Sequence, residues 1–244
     1  MPDRPTIIGV IPARLESHRL PGKVLLQIGP KPMLQWVYER ARQASLLNEL
    51  YVATDSEKVR QFCLNCGIPL ILTGEHASGS DRLHEAVLRT EGDIYVNIQG
   101  DEPTIRADHI ERMLRPILDG ESEVSTLKVA MGEDAAQDPN IVKVVTDNLG
   151  RALYFSRSPI PFDRDGTDNP KYYKHIGLYG YTRKALMLFH TMPQSSLERA
   201  EKLEQLRYLE NGIAIMVVET PYDTVGVDTK EDLERASLFL MTEK

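Results

Sequence analysis

The chain has 244 residues, 41% apolar, 27% charged and 7% aromatic, and its 29 Lys and Arg against 36 Asp and Glu leave a formal charge of −7. That length can bury a substantial core, and the acidic balance speaks against a duplex nucleic-acid binder, which needs a basic face to displace counterions. Nothing approaches the roughly 18 consecutive apolar residues of a membrane-spanning helix, and the first apolar run is too short for a signal peptide, so no membrane insertion and a cytoplasmic location with reduced Cys63 and Cys66 are expected.

Short β-rich runs alternate with amphipathic helical patterns, which predicts an α/β fold with a mostly parallel sheet. Ile7 to Ile11 reads as a buried first strand closed by Pro12. Met33 to Ala44 carries Met33, Val37, Ala41 and Ala44 on one helical stripe. Leu50–Thr54, Leu70–Thr73 and Ile94–Gln99 read as further strands. Glu57–Cys66, Leu83–Arg89 and Ile110–Leu118 read as helices. After about Gly120 the pattern changes. Val124–Val129 is a strand, and Ile141–Thr146 and Arg151–Ser156 flank a four-residue turn ending at Gly150, as in a β-hairpin. Ser158–Tyr173, rich in Pro and Asp, is a long loop of the kind often used for function. Leu197–Glu210 reads as one helix stopped by Asn211-Gly212, Ile213–Val218 as the last strand and Lys230–Met241 as the last helix. No linker is visible. The expectation is a single domain over 1–244 with an inserted hairpin or arm at about 141–175.

Four constellations could carry chemistry. The loop after the first strand, Pro12 to Lys23, puts Arg14, Arg19 and Lys23 at the carboxyl end of a buried strand, where open α/β sheets bind ligands. Guanidinium forks and an ammonium suit a polyphosphate, while a solvated basic loop is the plainer alternative. The loop lacks both the Walker glycine pattern and the dinucleotide glycine fingerprint, which removes P-loop hydrolysis and hydride transfer. Gln99-Gly100-Asp101-Glu102-Pro103 ends the fourth strand. Asp101 there could hold Mg²⁺, which takes one or two protein carboxylates and leaves the rest to water and phosphate, or the segment could be a simple turn. Asp228 could be a second metal ligand, or it could cap the final helix in a box with Glu231. Arg157, His175, Glu204, Gln205 and Arg207 offer cations for a carboxylate and amide or acid groups for hydroxyls, although Glu204 and Arg207 could also be a helix-surface ion pair. The Cys63-x-x-Cys66 spacing falls late in a helix and reads as structural.

Taken together, IPARLESHRLPGK, SGSDR, NIQGDEP, ALYFSRSPIPFDRD, KHIGLYGY, LERAEKLEQLRYLENG and GVDTKEDLE resemble the 3-deoxy-manno-octulosonate (Kdo) cytidylyltransferase family over essentially the whole chain. The resemblance implies a Rossmann-like sheet of the nucleotide-diphospho-sugar transferase type. It also implies a homodimer and Mg²⁺-dependent transfer from CTP to Kdo, giving CMP-Kdo and pyrophosphate for lipopolysaccharide assembly. By position, Arg14, Arg19 and Lys23 match the triphosphate loop, and Ser78, Gly79 and Arg82 a segment near the cytidine. Gln99 and Asp101 match the nucleotide- and metal-binding turn, and Asp228 the second metal position. Arg157, His175, Glu204 and Gln205 match positions around the sugar acid. Arg14, Lys23, Asp101 and Asp228 are the expected catalytic set.

The chain departs from the family pattern at Leu15, where an aromatic residue is common, at Val24, where Pro is common, and at Ser80, where Thr is usual. These changes touch loop packing more than charge. Asp101-Glu102-Pro103 favours Kdo over its 8-amino analogue, whose enzyme tends to read Asp-Gln-Pro. The alternatives are a cytidylyltransferase for another acidic sugar, such as 8-amino-Kdo or a sialic acid, and a non-catalytic nucleotide sensor.

Overall fold

The run Ile7-Ile8-Gly9-Val10-Ile11, apolar on both faces, can be satisfied only by a strand covered on both sides, and it forms the centre of a parallel sheet. The computed structural model describes residues 4–16, 19–76, 78–166 and 170–243, so Ser17 and His18 of the basic loop and residues 167–169 of the Pro-rich loop lie outside the description. In chain order the elements are β1 (Ile7–Pro12), a 3₁₀ turn (Lys23–Leu25), β2 (Gln27–Ile28), β3 (Lys31–Pro32), α1 (Met33–Ala41), β4 (Glu49–Thr54), α2 (Glu57–Cys66), β5 (Leu70–Leu72), α3 (Gly79–Leu88), β6 (Ile94–Asn97) and α4 (Ala107–Leu118). They continue with β7 (Val124–Met131), α5 (Glu133–Ala136), β8 (Lys143–Thr146), β9 (Ala152–Ser156), β10 (Tyr172–Thr182), α6 (Arg183–Thr191), α7 (Ser196–Glu201), α8 (Leu206–Glu210), β11 (Met216–Glu219) and α9 (Lys230–Thr242).

The chain divides into two compact units, Met1–Glu111 with Thr224–Lys244, and Arg112–Asp223. In the first, four parallel strands run in the order β6-β1-β4-β5. The helical stripe read from the sequence is buried as expected, with Met33, Val37 and Ala41 fully enclosed in α1 and Ala44 just beyond its end. The C-terminal helix belongs to this unit. Its Ala236 and Leu240 share an apolar cluster with Leu20, Ile28, Met33 and Val227, so the basic loop and the segment before Asp228 rest on one core. The small β2–β3 hairpin was not expected; strands of two residues leave no periodic signal.

In the second unit the order is β11-β7-β10, with β8 beside β10 and β9 beside β8. β7 and β11 are parallel; β7–β10, β10–β8 and β8–β9 are antiparallel. The predicted hairpin is β8–β9. Its turn is held by Asp147, whose carboxylate accepts from the amides of Leu149 and Arg151, both at 2.8 Å. The helix expected over Leu197–Glu210 is instead two short helices, broken at Lys202, which adopts a left-handed φ of 56°. An ion pair explains the break. Arg207 forks onto the buried Glu198 (2.7 and 2.5 Å), yet nine residues on one continuous helix would separate them by about 13.5 Å along the axis. The helix α6, capped by the Thr182 hydroxyl, was also not anticipated.

Two core positions give tests. A Cβ at Gly100 would meet the Pro12 carbonyl oxygen at 2.9 Å, and backbone cannot move aside as a side chain can. Gly100→Ala is expected to lower the stability of the protein by roughly 1–3 kcal/mol, read as a lower urea midpoint at unchanged m-value.

His175 on β10 is buried between the Phe155 and Tyr179 rings, with Nε2 3.0 Å from the Thr126 hydroxyl. Burial, helped by the Lys174 charge, drives its pKa down to about 3. The unfolded chain therefore binds a proton that the folded one refuses. The stability His175 supplies is complete above about pH 6.5 and is lost as pH falls toward 3, amounting to roughly 2–3 kcal/mol by pH 4.5. His175→Gln should flatten the fall of Tm between pH 7 and 4.5; an unchanged slope contradicts this.

Candidate active site

The basic loop folds back on itself because Gly22 takes a left-handed φ of 70°, costly for any side-chain-bearing residue. Its amide donates to the Leu15 carbonyl (3.0 Å), and the Lys23 amide donates to the Leu20 carbonyl (3.1 Å). This turn aims the Lys23 side chain at two carboxylates from distant parts of the sequence. Its ammonium lies 2.5 Å from Asp101 Oδ2 and 2.9 Å from Asp228 Oδ1, and donates also to the Val227 carbonyl at 3.2 Å. The two carboxylate oxygens therefore lie no farther apart than the sum of 2.5 and 2.9 Å, about 5.4 Å. Arg19 reaches the other oxygen of Asp228 at 2.8 Å. The backbone ties the same two segments, with the Val227 amide donating to the Asp101 carbonyl at 2.9 Å.

Burial works against the charge on Lys23, yet the Asp101 carboxylate, the hydrogen bonds it donates to both acids and the Asp228 charge hold it above the ordinary lysine range. Asp228 is likewise held below the usual carboxylate range, against its own burial, by the hydrogen bond and charge of Lys23 and by Arg19.

The reading of Asp228 as a helix cap paired with Glu231 is corrected. The capping box is one residue later: the Thr229 hydroxyl accepts from the Asp232 amide, and Asp232 Oδ2 accepts from the Thr229 amide at 3.0 Å. Asp232 also accepts from the Asp228 amide at 3.1 Å. With capping done by its neighbours, the Asp228 side chain is released toward the cations.

The remaining residues of the first unit surround the carboxyl end of β1. Ser78 caps α3, its hydroxyl accepting from the Asp81 amide (3.1 Å), and a Cβ on Gly79 would sit 3.7 Å from Pro12. Gln99 is half-buried beside Asp101, and Arg14 is exposed without a partner among the described residues. Arg82 is buried and already engaged. It pairs with Asp55 at 2.9 Å and donates to the Thr73 hydroxyl and the Gly74 carbonyl, so its charge is spent inside the protein.

The four residues assigned to a sugar acid all fall in the second unit. The Arg157 guanidinium donates to the Glu201 carbonyl (2.9 Å) and the Pro139 carbonyl (3.1 Å). Its amide is held by the Glu201 carboxylate at 2.9 Å, and its carbonyl accepts from the buried Lys143 ammonium at 2.5 Å. Lys143 and Glu201 escaped the sequence reading, because partners so far apart leave no local pattern. His175 is neutral and offers a hydrogen bond rather than a cation. Glu204 and Gln205 occupy the joint between α7 and α8, so the break at Lys202 takes both out of a helical surface. Arg207, read as a possible partner of Glu204, spends its fork on Glu198. Tyr179 and Tyr181 stack at 5.7 Å in the core, as packing residues. Cys63 is buried late in α2 with its thiol pushed up to about 11, mainly by burial, which suits an inert structural role.

Comparison with known proteins gives the family. A sequence model of the cytidylyltransferase family matches residues 8–215. The 3-deoxy-manno-octulosonate cytidylyltransferase of Acidobacterium capsulatum is 50% identical over 239 residues, covering 98% of each chain. That of Koribacter versatilis is 49% identical over 234 residues, covering 96% of this chain and 89% of its own. A solved structure of CMP:2-keto-3-deoxy-manno-octonic acid synthetase complexed with CTP superposes with a TM-score of 0.94 at 44% identity, covering 98% of this chain and all of the other. The chain belongs to the 3-deoxy-manno-octulosonate cytidylyltransferase family.

Proposed function

We propose that the chain transfers the cytidylyl group of CTP to Kdo, releasing pyrophosphate, in the cytoplasmic supply of CMP-Kdo for lipopolysaccharide, and that it works as a homodimer. The observation that carries this reading is the convergence of Asp101 and Asp228 on Lys23 at the end of the parallel strands, in a chain of this family. Arg14, Arg19 and Lys23 bind the triphosphate. Ser78, Gly79 and Gln99 line the cytidine side, and Arg82 supports them from beneath.

The donor set fits Mg²⁺. Both carboxylates are hard oxygen ligands, they are close enough to serve hydrated cations on one nucleotide, and a cation already satisfies them, in the form of Lys23. Among the described residues no cluster of three or more His, Cys, Asp or Glu is placed to hold an ion, so water and substrate phosphate would complete the coordination. Bound there, Mg²⁺ would lower the pKa of the sugar's anomeric hydroxyl and polarise the α-phosphate.

The chain's own residues do the rest. The anomeric oxygen bonds to the α-phosphorus while the bond to the β-phosphate oxygen breaks in line, and the hydroxyl proton passes to solvent. Arg14, Arg19 and Lys23 offset the charge gathering on pyrophosphate, and such preorganised charge is commonly the largest contribution at phosphorus. Arg157, fixed by Glu201, is the cation offered to the sugar carboxylate. His175, kept neutral by burial, together with Glu204 and Gln205, supplies hydrogen bonds for hydroxyls.

Incubation with CTP, Mg²⁺ and Kdo is expected to give CMP-Kdo and pyrophosphate by mass spectrometry; bound CTP with no product would overturn the reading. Asp101→Asn should cut kcat by about 100-fold or more, far more than it weakens CTP binding. Near-normal turnover at saturating Mg²⁺ would remove Asp101 from the chemistry.

A further inference from the structure

The geometry around Lys23 points to a binding order as well as a site. All three hydrogens of its ammonium are spent, on Asp101, Asp228 and the Val227 carbonyl. Arg19 takes the remaining oxygen of Asp228. Two cationic side chains thus neutralise two carboxylates, and three of the four carboxylate oxygens, Asp101 Oδ2 and both of Asp228, are engaged by the protein's own charges. We propose that Lys23 is an internal counter-ion that withholds Asp101 and Asp228 from the divalent cation until the triphosphate of CTP draws it away. The inference rests on the two carboxylates being the cation's ligands, as argued above.

The physical reason is competition for charge. A local set with no net charge gives a dication little to gain, and it would have to displace an ammonium bonded at 2.5 and 2.9 Å. A triphosphate carries several negative charges and many acceptor oxygens, and both Lys and Arg bind phosphate well. Once Lys23 and Arg19 turn to the phosphates, the two carboxylates are left close together and uncompensated, which is the state that favours a divalent ion. The coupling is reciprocal, so whatever strengthens the cation with nucleotide bound strengthens the nucleotide with cation bound by the same factor. The outer partner, Arg19, is 59% exposed and Lys23 is 14% exposed, so an incoming triphosphate meets Arg19 first and Lys23 second.

The test uses the full chain without nucleotide and follows free Mn²⁺ by electron paramagnetic resonance. Wild type should bind Mn²⁺ at least tenfold more weakly than Lys23→Met, and adding Asp101→Asn to that variant should abolish the gain. Lys23→Gln serves beside it should the methionine variant fold poorly, and circular dichroism checks both. On wild type alone, calorimetry in EDTA should detect CTP binding, because the basic loop does not need the metal. Mn²⁺ binding wild type as tightly as it binds either Lys23 variant, or CTP failing to bind without a divalent ion, would overturn the proposal. Neither measurement needs Kdo or turnover, so a failure here is distinguishable from a failure to make CMP-Kdo.

Discussion

One ammonium group, Lys23 Nζ, holds together segments that start 78 and 205 residues away in the chain. Carboxylates brought this close repel one another unless a cation lies between them. The ion pair is therefore a condition for the site's shape rather than an ornament on it. The backbone bond from Val227 to Asp101, and the burial of Val227 in the same apolar cluster as Leu20, set the same spacing. Leu20 and Val227 share an apolar cluster with Ala236 and Leu240 of the C-terminal helix, so the basic loop, the segment before Asp228 and the last helix rest on one core.

The second unit uses charge differently. There, Lys143 is buried and spends its ammonium on backbone carbonyls of Asp138, Ile141 and Arg157, and Glu198 is buried against the Arg207 fork. Such groups fix the conformation of loops and helix ends, and removing one partner would leave a buried charge uncompensated. The bonds from Glu201 and Lys143 fix Arg157, and the Glu198–Arg207 pair fixes the joint that carries Glu204 and Gln205. In the first unit Lys23, Arg19, Asp101 and Asp228 pair with one another in a chain-distant cluster; in the second the charges hold loops and helix ends.

Much of the fold was legible. The strands β1, β4, β5 and β6, the helices between them and the β8–β9 hairpin follow from period and turn chemistry, since a parallel sheet buried on both faces demands continuous apolar runs. The types and positions of Lys23, Asp101 and Asp228 were legible too, as polar residues following strands or preceding a helix. The capping register was not, because Asp228-x-x-Glu231 and Thr229-x-x-Asp232 satisfy the same pattern and only tertiary contact decides between them. The helix break at Lys202 and the burial of Arg82 were hidden for a related reason. Each is fixed by a partner out of helical reach: Glu198 and Arg207 are nine residues apart, not the three or four of a helix-surface pair, and Arg82 and Asp55 are 27 apart.

The central claim, that Asp101 and Asp228 form one functional unit, is tested most directly by a double-mutant cycle on kcat for CMP-Kdo formation. Residues that act as a unit are strongly non-additive. The account predicts that the Asp101→Asn, Asp228→Asn double variant is no more than about threefold slower than the slower single variant. Losses that multiply would show two carboxylates working independently, and would contradict it.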